Sequence, residues 1–240
     1  LTPLIDAEDS LPTWLQDAGY TPKLLGYNDY AVDPRMLPSD DPRTQSLSYA
    51  NVLPGFEAIV YQEYDSPEYF QYLREKGYSE HLLTHEAIHL PNVPPEGPGP
   101  HLPLRYPARY AEEDSECRFT TNQAIEFVES ETSAPWVLNV NYIKPHPPRV
   151  SPAPYNDMYD PNLMSPPARD ASELTEPHPY RRLSMGTPEL VEERDLRETQ
   201  ANYYAMITEV DASLGLLLET LKASGQWDRT LIVFTSDHGE

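Results

Sequence analysis

The longest regular pattern of apolar and polar positions lies between Glu192 and Ala223. Apolar side chains recur there at spacings of three and four residues and form one stripe: Tyr203, Met206, Val210, Leu214, Leu217 and Leu221. Such a stripe is typical of an amphipathic helix that packs on a core. Gly225 follows and is expected to end the helix. The pattern therefore predicts one long helix in the last third of the chain.

Shorter apolar runs alternate with helical patterns along the rest of the chain. Three runs predict strands: Lys23–Gly26, Trp136–Tyr142 and Leu231–Phe234. The first and the last are expected to be buried. Three further segments predict helices: Leu11–Ala18, Ser66–Lys76 and Thr120–Glu131. Strands that alternate with helices favour an α/β fold in which the sheet is largely parallel. We therefore expect the carboxyl ends of the strands to lie along one edge of the sheet.

The charge of the chain narrows the range of partners. Its 39 acidic and 17 basic residues give a net charge of −22. Such a surface repels nucleic acids and anionic membranes, so we expect neither as a partner. An anionic small molecule could bind only where a metal ion or local cations reverse the field. No apolar run is long enough to span a membrane.

Two candidate sites follow predicted strands. Asp237 and His238 come directly after the Leu231–Phe234 run and precede Gly239, so they are a candidate for half a metal site. The sequence Lys144-Pro145-His146-Pro147-Pro148 follows the Trp136–Tyr142 run. Its prolines are expected to hold the backbone extended around His146. An imidazole fixed in this way suits proton donation to a leaving group, although a histidine packed on prolines is the simpler alternative.

These motifs together resemble the sulfatase family of the alkaline phosphatase superfamily. The resemblance rests on four stretches in the family's order: Leu11-Pro-Thr-Trp-Leu with Ala18-Gly19-Tyr20, Lys144-Pro-His-Pro-Pro, Tyr203-Tyr204-Ala205-Met206-Ile207 with Asp211 and Leu214-Gly215, and Thr230 to Glu240. Gly26-Tyr27 followed by Asp33-Pro34-Arg35 is closer to the phosphonate monoester hydrolase branch than to most sulfatases. That branch carries a threonine near Tyr27, where this chain has Asn28, Asp29 and Tyr30. The choice between sulfate and phosphonate esters therefore stays open.

The resemblance implies an alkaline-phosphatase-like fold, with a mostly parallel central sheet flanked by helices. It implies hydrolysis of sulfate or phosphonate/phosphate esters by a formylglycine nucleophile with one divalent metal ion. By matching position, Asp237 and His238 would bind the metal, His146 would protonate the leaving oxygen, and Tyr27 and Lys144 would bind substrate. An all-oxygen site suits Ca²⁺, whereas the imidazole of His238, where many sulfatases have asparagine, favours Mn²⁺ or Zn²⁺.

The formylglycine motif is not found in the sequence, and the chain stops within the Asp-His-Gly motif. We therefore expect residues 1–240 to be the central part of one sulfatase-type α/β domain, incomplete at both ends. Such a fragment is expected to have no turnover by itself. A cytoplasmic location is favoured, and homo-oligomerisation stays open.

Two alternatives belong to other classes of function. His85-Glu86-Ala87-Ile88-His89 fits the zinc metallopeptidase pattern, which needs both imidazoles on one helical face and glutamate as general base. Pro91 follows closely and is expected to stop the helix, which weakens this alternative. The second alternative is a non-catalytic relative that keeps the fold as a binding module.

Overall fold

The computed structural model describes residues 9–28, 38–40, 52–62, 66–97, 105–130, 135–166, 179 and 193–239. It contains three strands: β1 (Pro22–Gly26), β2 (Glu57–Tyr61) and β3 (Val137–Asn141). Its helices are α1 (Leu11–Asp17), α2 (Pro67–Glu75), α3 (His85–Ile88), α4 (Glu116–Ser130) and α5 (Glu193–Ala223). Short 3₁₀ turns lie at Glu80–Leu82, Glu112–Asp114, Tyr155–Asp157, Pro161–Leu163 and Trp227–Arg229.

The three strands form one parallel sheet in the order β2-β1-β3. The central strand keeps continuous register with β3, from Pro22 opposite Val137 to Gly26 opposite Asn141. Its register with β2 shifts once, between Leu24 and Leu25. Both leucines are fully buried, as expected for a parallel strand that is covered on both faces. The predicted α/β fold with a parallel sheet is thus confirmed.

The chain divides into two compact units. The first comprises Leu1–His85, Glu113–Ile143 and Val210–Glu240 and holds the sheet. Its core includes Tyr69 and Leu73 of α2 and Ala124 and Val128 of α4. Helix α2 begins at Pro67, where the missing N–H costs no hydrogen bond, and is followed by Gly77 at a φ of 89°.

The second unit comprises Glu86–Glu112 and Lys144–Glu209. Irregular segments are joined there by backbone hydrogen bonds: Asn92 N–H donates to the Pro107 carbonyl, and Ala108 N–H donates to the Ser151 carbonyl. The part of α5 that belongs to this unit buries Ala201, Ala205 and Met206.

Most predicted elements are present with shifted ends. Helix α4 begins at Glu116, four residues before the predicted start, and β3 is one residue shorter at each end than predicted. Helix α5 is described from Glu193, and both Glu192 and Glu131 lie outside the described residues. Strand β2 was not predicted, although Ala58 to Tyr61 is a suitable apolar run.

The predicted buried strand at Leu231–Phe234 is wrong for this structure. The segment has no strand pairing, and Leu231, Val233 and Phe234 are 88%, 77% and 79% exposed. An apolar run becomes a buried strand only when neighbouring strands satisfy its backbone and other elements cover its faces. Within the described residues, neither edge strand of the sheet pairs with this segment.

Candidate functional site

At the carboxyl edge of the sheet, Gly26 of β1 and Asn141 of β3 are packed closely against each other. Gly26, the last residue of β1, has a φ of 93°, and a Cβ placed on it would lie 2.1 Å from the Asn141 carbonyl oxygen. Only glycine combines this conformation with this close approach. The Asn141 side-chain amide then donates to the Tyr27 carbonyl. The backbone at Tyr27 is therefore held in place by two contacts, the close packing of Gly26 on Asn141 and the hydrogen bond from the Asn141 side chain.

Tyr27 is partly buried at this edge, which is compatible with the predicted contact to a substrate oxygen. Asn28, the next residue, accepts a hydrogen bond from Leu53 N–H through its Oδ1 at 3.3 Å. Asp29, Tyr30 and the Asp33-Pro34-Arg35 sequence lie outside the described residues. The role of Tyr27 in binding substrate stays a prediction.

Two further polar residues of this edge lie against α4. Tyr142, directly after β3, has its hydroxyl 2.8 Å from Thr121 Oγ1, which donates its single proton to the Cys117 carbonyl. Tyr142 is therefore the donor to Thr121. Burial, which disfavours the charged phenolate, raises the pKa of Tyr142 to about 12. Gln62, directly after β2, is 1% exposed and its Oε1 lies 2.8 Å from Thr120 Oγ1.

Lys144 lies inside the second unit, and its charge is paired. Its Nζ lies 2.6 Å from Glu209 Oε2 and 3.0 Å from the Tyr110 hydroxyl oxygen. The two charged side chains are 6% and 1% exposed. Lys144 is predicted from the sequence to bind substrate, whereas no sequence motif marks Glu209. Glu209 lies directly before Val210, a residue of the apolar stripe of α5. That position in the helix was the sequence feature from which Glu209 could have been found.

His146 is exposed to solvent on the turn that follows Lys144. Its Nδ1 lies 2.6 Å from the Pro147 carbonyl oxygen. A carbonyl can only accept, so Nδ1 carries the proton of this hydrogen bond, and Nε2 is the other ring nitrogen that can accept or donate a proton. The expectation of an extended backbone here is wrong, because residues 144–148 form turns and bends, with cis bonds at Lys144–Pro145 and Pro147–Pro148.

Asp237 and His238 are adjacent and exposed, with side chains 85% and 63% accessible. His238 Nε2 lies 3.6 Å from Asp237 Oδ2, and its Nδ1 lies 3.0 Å from the Gly239 carbonyl oxygen. With the proton on Nδ1, Nε2 would be the metal-binding nitrogen, because metal-binding histidines usually donate a hydrogen bond from the other ring nitrogen. A carboxylate and an imidazole fit Mn²⁺ or Zn²⁺ as two of its ligands. No set of three metal-binding side chains is grouped within the described residues, so this pair could supply only part of a metal site.

The metallopeptidase pattern is poorly placed for its chemistry. Helix α3 covers only His85–Ile88, so His89 falls outside it, and the His89 side chain is buried. The pattern needs both imidazoles on one face of a continuous helix.

The fold and these residues define an α/β protein with polar side chains at the carboxyl edge of a parallel sheet and a separate carboxylate–imidazole pair. The sulfatase family model matches residues 2–240, and the chain belongs to this family. The chain is 34% identical to the multifunctional alkaline phosphatase superfamily protein PehA of Trinickia caryophylli, over 99% of this chain and 48% of that protein. It is 31% identical to a choline-sulfatase of Rhizobium meliloti, over 54% of this chain and 27% of the relative.

Solved structures agree with this assignment. The phosphonate monoester hydrolase of Agrobacterium radiobacter matches with a TM-score of 0.85 and 33% identity, covering 99% of this chain and 48% of that one. The phosphonate monoester hydrolase SpPMH of Silicibacter pomeroyi matches with a TM-score of 0.80 and 31% identity, over 95% of this chain and 46% of the neighbour. The chain thus spans about half the length of these relatives, which are named as hydrolases of ester bonds. No helix within the described residues has the length and apolar character needed to cross a bilayer.

Proposed function

We propose that the chain is part of a metal-dependent hydrolase of small sulfate or phosphonate/phosphate esters. The match along 99% of the chain to a phosphonate monoester hydrolase, with a TM-score of 0.85, carries the proposal. A formylglycine on a segment outside these 240 residues would supply the nucleophile. The chain covers 48% of that hydrolase, which is consistent with a nucleophile located elsewhere in the protein.

His146 is the proton donor in this proposal. Its Nδ1–H is held by the Pro147 carbonyl, so the imidazolium would donate from Nε2. When the bond between sulfur or phosphorus and the leaving oxygen breaks, that oxygen would take the Nε2 proton and leave as an alcohol or phenol. The exposure of His146 supports this role, because a substrate oxygen can reach its ring.

The remaining predicted residues would bind the anion. Asp237 and His238 would hold one divalent metal ion, which would polarise the ester and lower the pKa of the nucleophile. Tyr27 would donate a hydrogen bond to a non-leaving oxygen of the substrate. The sequence also predicts a substrate contact for Lys144. Because its charge is paired with the buried Glu209 carboxylate, the proposal does not depend on that contact. A local cation is required in any case, because the net charge of −22 repels an anionic ester.

The test is hydrolysis of 4-nitrophenyl sulfate and 4-nitrophenyl phenylphosphonate by the full-length protein, supplied with Mn²⁺, Zn²⁺ or Ca²⁺. We expect turnover of at least one 4-nitrophenyl ester. With the corresponding phenyl ester, whose leaving oxygen needs a proton, His146→Asn should lower kcat by about 100-fold or more. His81→Asn, which changes another exposed histidine, is the matched control and should keep parental kcat. Absence of hydrolysis of both esters with all three metals would overturn the proposal and favour a binding protein.

A further inference from the structure

The segment that carries His146 is attached at both of its ends to one face of α5. At its start, Lys144 Nζ lies 2.6 Å from Glu209 Oε2. At its end, the Arg149 carbonyl accepts a hydrogen bond from the Asn202 side-chain amide. All these residues belong to the second unit, so the attachment lies within one compact body. His146 itself lies between the two attachment points and stays exposed.

The two anchoring side chains on α5 are buried. Asn202 is 0% exposed and the Glu209 side chain 1% exposed. The second carboxylate oxygen of Glu209 has no hydrogen-bond partner within the described part of the chain. The buried negative charge therefore depends on Lys144, which the Tyr110 hydroxyl also contacts at 3.0 Å.

Holding a loop by buried polar groups costs desolvation free energy. A buried ion pair often contributes no more stability than well-packed apolar residues of similar volume, because both ions lose their hydration. Hydrogen bonds and ion pairs are directional, however, whereas apolar contacts tolerate sliding. A buried pair at one end and a buried amide at the other are thus suited to fixing where a short segment lies.

We propose that Glu209 and Asn202 are positioning residues that set the place of the His146 imidazole through Lys144 and the Arg149 carbonyl. The inference rests on the proposed function, in which His146 protonates the leaving oxygen. Lys144 then acts mainly as the link between Glu209 and the histidine segment. A lysine that binds substrate directly would behave differently, because removal of Glu209 would leave its positive charge in place.

The leaving group of the substrate separates these roles. A good leaving group such as 4-nitrophenolate needs little protonation, whereas phenolate needs more. We therefore expect Glu209→Gln, Asn202→Ala and Lys144→Met in the full-length protein to lower kcat for the phenyl ester about tenfold more than kcat for the 4-nitrophenyl ester. KM should change by less than about threefold, because positioning a proton donor acts mainly on the chemical step. Glu219→Gln, which removes an exposed carboxylate of the same helix paired with Lys222, is the matched control.

A double variant keeps the test decisive if a single variant fails to fold. Lys144→Met combined with Glu209→Leu replaces the pair by apolar side chains and should fold. We expect kcat of this double variant to fall more for the phenyl ester than for the 4-nitrophenyl ester. The decrease should be smaller than the product of the decreases in the two single variants, because Lys144 and Glu209 act as one unit.

Two results would overturn the inference. The first concerns Asn202→Ala and the double variant: kcat falls equally for the phenyl and the 4-nitrophenyl ester, or kcat for the phenyl ester stays at the parental value. The other is a rise in KM for both esters in Lys144→Met while Glu209→Gln behaves as the parent, which would identify Lys144 as a substrate ligand. Failure of the proposed function is distinguishable, because His146→Asn would then show no leaving-group-dependent loss or the parent would show no turnover.

Discussion

Trp136 and Gln226 are joined by a hydrogen bond across 90 positions of sequence, from the indole Nε1 to the Gln226 Oε1 at 2.9 Å. The same amide donates from Nε2 to the Val128 carbonyl at 2.8 Å. Trp136 also packs edge-on against Phe127, with ring centroids 5.7 Å apart. Gln226 therefore ties the end of α4, the start of β3 and the turn after α5 together inside the first unit.

Gln226→Ala should destabilise the protein by about 1–3 kcal/mol, because it leaves a buried carbonyl and a partly buried indole N–H without partners. Chemical denaturation monitored by tryptophan fluorescence would measure the change. Gln71→Ala on the exposed side of α2 is the control and should stay within about 0.5 kcal/mol of the parent. A loss for Gln226→Ala no greater than that of the control would show that the buried amide contributes little.

Gly26→Ala should be among the most damaging single changes in the first unit. The added methyl would lie 2.1 Å from the Asn141 carbonyl oxygen, and the backbone would keep a φ of 93° that alanine disfavours. We expect a loss above about 3 kcal/mol or failure to fold. Gly215→Ala is the opposite case, since the position lies inside α5 with open space around its Cβ, and it should gain about 0.5–1 kcal/mol. Equal thermal midpoints for the two variants would contradict this prediction.

Tyr142 makes stability depend on pH in the alkaline range. Burial raises its pKa from 10.0 to about 12 in the folded protein, so folding favours the protonated phenol. The contribution is complete below pH 10 and is lost as the pH rises toward 12, to a limit of about 3 kcal/mol. Tyr142→Phe loses the hydrogen bond to Thr121, which costs about 1 kcal/mol at pH ~8.

Phenylalanine cannot ionise, so the free energies of unfolding of the variant and the parent should converge or cross between about pH 10 and 11.5. Urea denaturation at several pH values would measure both. A difference between them that is independent of pH would show that Tyr142 ionises equally in the folded and unfolded states.

The proposed metal-binding role of Asp237 and His238 gives a prediction about metal content as well as rate. Chelation should abolish ester hydrolysis by the full-length protein, and Mn²⁺ should restore it. His238→Asn replaces an imidazole by an amide oxygen, so we expect bound metal and activity to shift toward Ca²⁺. Metal analysis and metal-dependent kcat would measure the shift. Asp228→Asn, a neighbouring exposed acid, should change neither, and full activity after chelation would exclude a metal at this pair.

The sequence predicted the fold class because its strongest signals are local. The stripe on α5, the apolar run of β1 and the proline and glycine around α2 each depend on neighbours a few residues away, and all three elements are present. Strand β2 was missed although Ala58 to Tyr61 is an apolar run, because a run of four apolar residues without alternation does not distinguish a strand from another buried segment.

The candidate site was predictable only in part. His146 was found from its prolines, and its exposure agrees with the proposed role, but the turn around it was not foreseen. Glu209 and Asn202 were missed because the role of a polar residue on a mostly apolar helix face can be inferred only when its partner is known. Those partners, Lys144 and Arg149, lie more than fifty positions earlier in the chain.

The double attachment of the histidine segment also limits how the chain can change in length. Asn202 and Glu209 lie roughly two turns apart on α5, about 10 Å along its axis. The stretch from Lys144 to Arg149 spans that interval, so one inserted or deleted residue would change the path of the backbone around His146 even where both anchors are kept. Loops elsewhere on a protein surface commonly absorb such changes. Residues 144–149 should instead behave as a segment of fixed length, in which side chains can vary between relatives but the number of residues cannot.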